Sequence, residues 1–173
     1  MTDPILYTPR NGDEVLKASP PGTKIFLYSD LANTNSSIED VFSRFGKNNI
    51  ILLQNPAQMN SGHWISLSFN IKKKEAYFFS SYGGMPDREK MKWIDRSALS
   101  HSGQLRNILN DGLKQLAREG WVIHYNDHPY QISGDHTATC GIWAAAFLRS
   151  HKNPDEFYKE HQSPRYYFQK YFL

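Results

Sequence analysis

The sequence predicts an α+β fold in one domain spanning all 173 residues, a small mixed or antiparallel sheet packed on a central helix. Three observations carry this. Residues 49–79 hold apolar runs of strand length separated by a polar turn. Residues 104–119 place Leu105, Ile108, Leu109, Leu113 and Leu116 at helical spacing. Residues 140–149 are a compact, mostly apolar series of helix formers that starts straight after the polar, turn-like residues 133–139.

Taken in order, residues 1–23 are rich in Pro, Gly, Asp and Asn and read as an irregular arm, with one helical turn around residues 13–17. Residues 25–28 form an apolar run that fits a strand or the start of a buried helix. Ser36 stands three residues before Glu39, a capping box for a helix that ends near Gly46. Residues 49–54 are continuously apolar, as in a strand buried on both faces, whereas residues 64–71 alternate, as in a strand with one wet face. Lys72, Lys73, Lys74 and Glu75 make the turn, and residues 76–79 return to end in Ser80-Ser81-Tyr82-Gly83-Gly84. Residues 85–102 read as loop plus a turn of helix. Gly120 stops the 104–119 helix, residues 121–126 form another strand, and residues 129–132 are extended. Asn153 caps a further helix with Pro154 in its first position. The aromatic tail, residues 166–173, is expected to dock on the core.

Composition narrows the class. At 39% hydrophobic and 14% aromatic residues, the chain is not a disordered one. No apolar run approaches the ~20 residues of a membrane span, and the amino terminus lacks the charged-then-apolar pattern of a signal peptide. A single cysteine allows no internal disulfide. The expectation is an intracellular protein, not a secreted one, with no membrane partner. The formal net charge is +3, and its only dense cluster is Lys72–Lys74. That cluster reads as a solvated turn, permitting weak attraction to nucleic acid without requiring it. There is no Gly-rich phosphate loop and no acid pair suited to glycoside chemistry, so no cofactor is expected.

The one cysteine, Cys140, stands where the polar loop becomes a helix. First-turn N–H groups lack intrahelical partners and the macrodipole is positive there. Both favour thiolate over thiol, so Cys140 is the candidate nucleophile. A lone cysteine is otherwise usually a small buried hydrophobe. A thiol hydrolase needs a base, a group to orient that base, and oxyanion donors. Among the seven histidines, His63 is the candidate base. It lies between a turn glycine and the Trp that opens a core strand, where a ring can be aimed from a rigid edge.

The series Gly62-His63-Trp64, then residues 77–83, then Gln131, then Cys140-Gly141 resembles the adenovirus-type maturation proteases. Their relatives are the cysteine proteases that process SUMO and other ubiquitin-like modifiers. The resemblance covers roughly residues 50–150. It implies Cys140 as nucleophile and His63 as base and later acid. Gln131 would donate its amide to the oxyanion, with the Cys140 N–H as second donor. Trp64 and Gly141 would line the approach of the substrate backbone.

Two positions depart from that pattern. Seventeen residues after His63, where the group carries an acid, stands Ser80. A hydroxyl can accept from the ring but carries no charge, so Ser80 is the positional candidate for the orienter, with Ser81, Asp87 and Asp127 as substitutes. Gln131 precedes Cys140 by nine residues, a longer gap than is usual in the group.

The implied function is a cysteine endopeptidase acting on a polypeptide, in the first instance a viral maturation protease that cuts capsid or core precursors at small, Gly-rich sites in the virion or host cytoplasm. One alternative is a protease for the tails of ubiquitin-like modifiers. Another, motivated by Ser80, is a protease-like scaffold without catalysis. A zinc set of His124, His128, His136 and Cys140 is the remaining reading of the same stretch.

Overall fold

A computed structural model describes residues 3–32, 35–54, 62–88, 94, 96–102, 104–131 and 138–173. Strands β1 (Lys24–Leu27), β2 (Asn48–Gln54), β3 (Gly62–Asn70), β4 (Glu75–Ser80) and β5 (Val122–Tyr125) lie side by side in chain order. The three central strands form the expected antiparallel meander. β1 joins β2 and β5 joins β4, both in parallel, so the sheet is mixed.

Both faces of the sheet are covered, and β2 shows why its residues form a continuous apolar run. Successive strand side chains point to opposite faces. Ile50 enters one buried cluster and Ile51 the other, and both are fully buried. The second cluster is roofed by α3 (Tyr28–Ala32), α4 (Ile38–Ser43) and α6 (Ile108–Arg118). Over the first face lies α7 (Cys140–Ser150), buried from Gly141 to Leu148. A helix apolar on every side belongs inside the protein. Phe79 of β4 stacks on Phe147 of α7 with centroids 4.6 Å apart. Around it pack α2 (Gly12–Ala18), α8 (Pro154–Glu160) and α9 (Pro164–Tyr167). Two short helices remain, α1 (Pro4–Tyr7) and α5 (Arg96–His101).

The structure revises several sequence expectations. The polar face of β3 is only partly wet: Ser66 is fully buried, while Ser68 and Asn70 are partly exposed. Ser66 shares the face of Trp64, on which α7 lies, and its small side chain lets the helix approach the strand closely. Residues 3–18 are not irregular. Asp3 caps α1, and Asn11 and Glu14 close a capping box on α2. Val15 and Ala18 then bury against the core. The cap of α4 is Ser37, accepting from the Asp40 N–H, one residue later than the Ser36 box.

Helix α6 begins at Ile108 rather than residue 104, because a tertiary cap sets its start. The Asp87 carboxylate accepts from the Asn110 N–H at 2.7 Å and from the Tyr28 hydroxyl at 2.5 Å. Tyr130 and Gln131 join no strand; their N–H groups both go to the Ser81 carbonyl, and Ile132 lies outside the described residues. The tail docks as expected. Tyr167 is buried, and a π-helical turn, Phe168–Phe172, packs against the first cluster. The Arg10 guanidinium lies over the Phe168 ring at 4.5 Å.

Candidate active site

The site forms where the start of β3, the end of β4 and the start of α7 meet. Thr139 supplies no side-chain cap to α7, so the first-turn N–H groups stay available to another acceptor. The Gly141 N–H is used on the sulfur of Cys140, as is the N–H of Trp64 from β3. Burial pushes the Cys140 thiol up. The hydrogen bond and charge of His63, with those two N–H groups, outweigh burial and hold the thiol below its usual range. Cys140 itself is partly exposed.

His63 is the second residue of β3 and is buried. Its Nε2 lies 2.9 Å from the Ser80 hydroxyl, which leaves Nδ1 as the nitrogen for the sulfur. Ser80 ends β4 and is fully buried. Its Oγ also accepts the Tyr82 N–H at 3.3 Å. The Tyr82 ring stacks on the imidazole, centroids 4.4 Å apart and planes at 28°. A π-face against the ring favours the charged imidazolium. Thus the sheet register and one helix start bring together Cys140, His63 and Ser80, which are far apart in the chain.

The substitutes for Ser80 lie elsewhere. Asp87 is held by Tyr28 and caps α6. The Asp127 side chain is mostly exposed, beside His128 at 3.4 Å. Ser81 has a different partner: its hydroxyl donates to the Gln131 amide oxygen at 2.5 Å. In this arrangement the amide oxygen faces Ser81. Gln131 is buried and tied to the same strand end through its own N–H.

Trp64 is nearly buried, and its indole N–H donates to the Arg10 carbonyl at 3.0 Å. The Ala138 N–H, just before the cysteine, donates to the Leu6 carbonyl at 2.6 Å. So the amino-terminal arm, read from sequence as irregular, holds two sides of the cleft. Gly141 sits against the same wall. A Cβ there would lie 2.9 Å from Val15 and 3.2 Å from Trp64. Gly141→Ala is expected to lower stability by about 1–3 kcal/mol in denaturant melts, overriding the ~1 kcal/mol that alanine gains in a helix. An unchanged or raised midpoint would show that Val15 and Trp64 yield freely.

A groove of about 720 Å³ opens beside Cys140, lined by Gly12, Trp64, Ile25, Leu27 and Leu52. It passes β1, an edge strand whose Ile25 and Leu27 are exposed.

Of the histidines of the zinc reading, His124 and His128 do not share a site with Cys140. His124 pairs with Glu75 at 3.3 Å, and His128 stacks on Tyr158 at 4.0 Å. His136 lies outside the described residues. Among the described residues no three His, Cys, Asp or Glu side chains form a metal-ligand group. Lys72–Lys74 are exposed on the β3–β4 turn.

Three contributors were not picked out from sequence as site residues: Asn126, Ser81 in its contact with Gln131, and Tyr82 on the imidazole. Tyr82 stands inside the strand-end motif, which was the available signal. Nothing in the pattern around Asn126 marks it.

No protein-family model and no curated protein matches the chain. Among solved structures, it is similar to the carboxy-terminal Ulp1 protease domain determined in complex with Smt3, the yeast orthologue of SUMO. Identity is 18% and the TM-score 0.43, over 92% of this chain and 69% of that one.

Proposed function

We propose that this protein is a cysteine endopeptidase with Cys140 as nucleophile, His63 as general base and acid, Ser80 as the group that orients His63, and Gln131 as an oxyanion donor. The observation that carries the reading is a buried imidazole, held at Nε2 by Ser80 at 2.9 Å, that acts with the N–H groups of Trp64 and Gly141 to keep the Cys140 thiol low against burial. Such surroundings stabilise a thiolate–imidazolium pair and serve no purpose for an inert core cysteine.

Hydrolysis then follows in two halves. The thiolate attacks the scissile carbonyl, and the developing oxyanion takes hydrogen bonds from the Gln131 amide and the Cys140 N–H. His63 gives its Nδ1 proton to the leaving amine. In the second half His63 takes a proton from water, which attacks the thioester and releases the acid and the thiol. Ser80 accepts from Nε2–H throughout, holding the ring while supplying no charge. A neutral orienter supports imidazolium less than a carboxylate does, and stacked Tyr82 compensates in part.

The substrate is an extended polypeptide with small residues next to the cut bond. Trp64 and Gly12 line the groove beside Cys140, and Ile25, Leu27 and Leu52 give it apolar walls. Precursor proteins of a virus and the tails of ubiquitin-like modifiers both present such a segment. Incubation with Gly-containing peptides, and with a modifier carrying a carboxy-terminal extension, checks this. Cleavage by the wild type and none by Cys140→Ala is the expected result. Wild type and variant equally inactive on every substrate, with a thiol that alkylates like a free cysteine, would overturn the protease reading in favour of a scaffold.

A further inference from the structure

Ser80 can orient His63 only if its own main chain is held, and the sheet stops short of holding it. On one side Ser80 pairs with Ile65 of β3. On the other, the parallel ladder with β5 ends at Phe78 and Tyr125. The next residue of that chain is Asn126, buried at 2% exposure. Its side-chain amide takes over where the ladder ends. The Ser80 N–H donates to Asn126 Oδ1 at 2.9 Å, and Asn126 Nδ2 donates to the Ser80 carbonyl at 2.5 Å.

The same side chain donates to the His128 carbonyl at 3.2 Å, and the Asn126 carbonyl accepts the Gly84 N–H at 2.9 Å. The turn from Ser80 to Gly84 is therefore stitched to one residue on two sides. That turn needs Gly83, whose φ is +76° and whose Cβ would meet the His128–Pro129 backbone at 3.2 Å. An amide side chain holds a carbonyl acceptor beside an N–H donor in the spacing of a peptide group, with a second N–H to spare, so asparagine can replace a missing strand partner where an aliphatic residue cannot.

We propose that Asn126 is a positioning residue for the catalytic centre, acting through Ser80: its amide fixes the Ser80 main chain so that Oγ meets His63 Nε2. This rests on the cysteine-protease reading of the site. Without the clamp, the buried Ser80 N–H loses its partner and the Ser80 carbonyl keeps only the Gly83 N–H at 3.0 Å, the strand end shifts, and Oγ leaves the ring. The imidazolium then loses support, and the thiolate forms at higher pH.

The test is a cycle of wild type, Asn126→Ala, Ser80→Ala and the double variant, read by the pH dependence of Cys140 alkylation with iodoacetamide. Asn126→Ala is expected to move the profile upward and to slow alkylation at pH 6.5 by about tenfold, the change that goes with one pH unit. In the Ser80→Ala background the same substitution is expected to change nothing further. A merely structural role would move the melting temperature and leave the profile alone. If Asn126→Ala does not fold, Asn126→Asp, equal in shape and still an acceptor for the Ser80 N–H, takes its place in the cycle. A wild-type profile with the low midpoint, combined with an unmoved Asn126 variant or an equal effect in both backgrounds, overturns the assignment alone. A wild-type thiol that titrates like a free cysteine sinks the protease reading and this assignment with it.

Discussion

Replacing His63 by alanine is expected to slow peptide hydrolysis by about 10²–10⁴-fold, the usual contribution of a general acid–base. The same substitution should move Cys140 alkylation to higher pH. The sign follows from the site. In the wild type the thiol is held low against the upward push of burial, chiefly by the hydrogen bond and charge of His63. Thiolate is therefore present below the ordinary cysteine range, near pH 8.5, and is lost only as pH falls through the depressed value. With His63 gone, burial is opposed only by the N–H groups of Trp64 and Gly141. The profile should then reach or pass the range of a free thiol. Iodoacetamide rates across pH, measured with melting curves to exclude unfolding, decide the matter. An unmoved profile would mean that His63 does not control the sulfur.

Gln131→Ala is expected to lower kcat by about 10²–10³-fold, as does removal of one oxyanion donor, with KM little changed. Alkylation of Cys140 develops no oxyanion on a carbonyl, so its pH profile should stay at the wild-type position. The two variants thus separate the groups that make the nucleophile from those that stabilise the charge it creates. Ser81 orients the Gln131 amide, so the loss belongs to a placed donor and not to a mobile one. If Gln131→Ala retains full kcat, the oxyanion is served by main-chain N–H groups alone. If it shifts the alkylation profile as His63→Ala does, Gln131 acts on the pair and not on the oxyanion.

Much of this site was legible in the chain because its chemistry is local. A thiol at a loop-to-helix junction meets unpaired N–H groups whatever the rest of the fold does, and Cys140 does so at Gly141. His63 was legible from its place between a turn glycine and a core strand. Ser80 was legible as a position only through the family resemblance, whose pattern carries an acid seventeen residues after the histidine. Choosing it over Ser81, Asp87 and Asp127 was not possible from spacing. In the structure Ser81 is engaged by Gln131, Asp87 by Tyr28, and Asp127 by its neighbour His128.

The sequence by itself determined the alternating and continuous apolar runs, and so the meander and the buried cysteine helix, because hydrophobic period and burial are linked residue by residue. It also determined the caps at Asn153 and Gly120, which act within a few residues. Only the tertiary structure decided what crosses between elements. It placed Ser66 under α7 instead of in water, drew the amino-terminal arm against Trp64, and started α6 at the Asp87 cap. It also set Asn126 beside Ser80. Each depends on which buried main-chain or apolar group lacks a partner once the sheet has formed. That is a property of strand ends meeting in space, and periodicity along the chain does not record it.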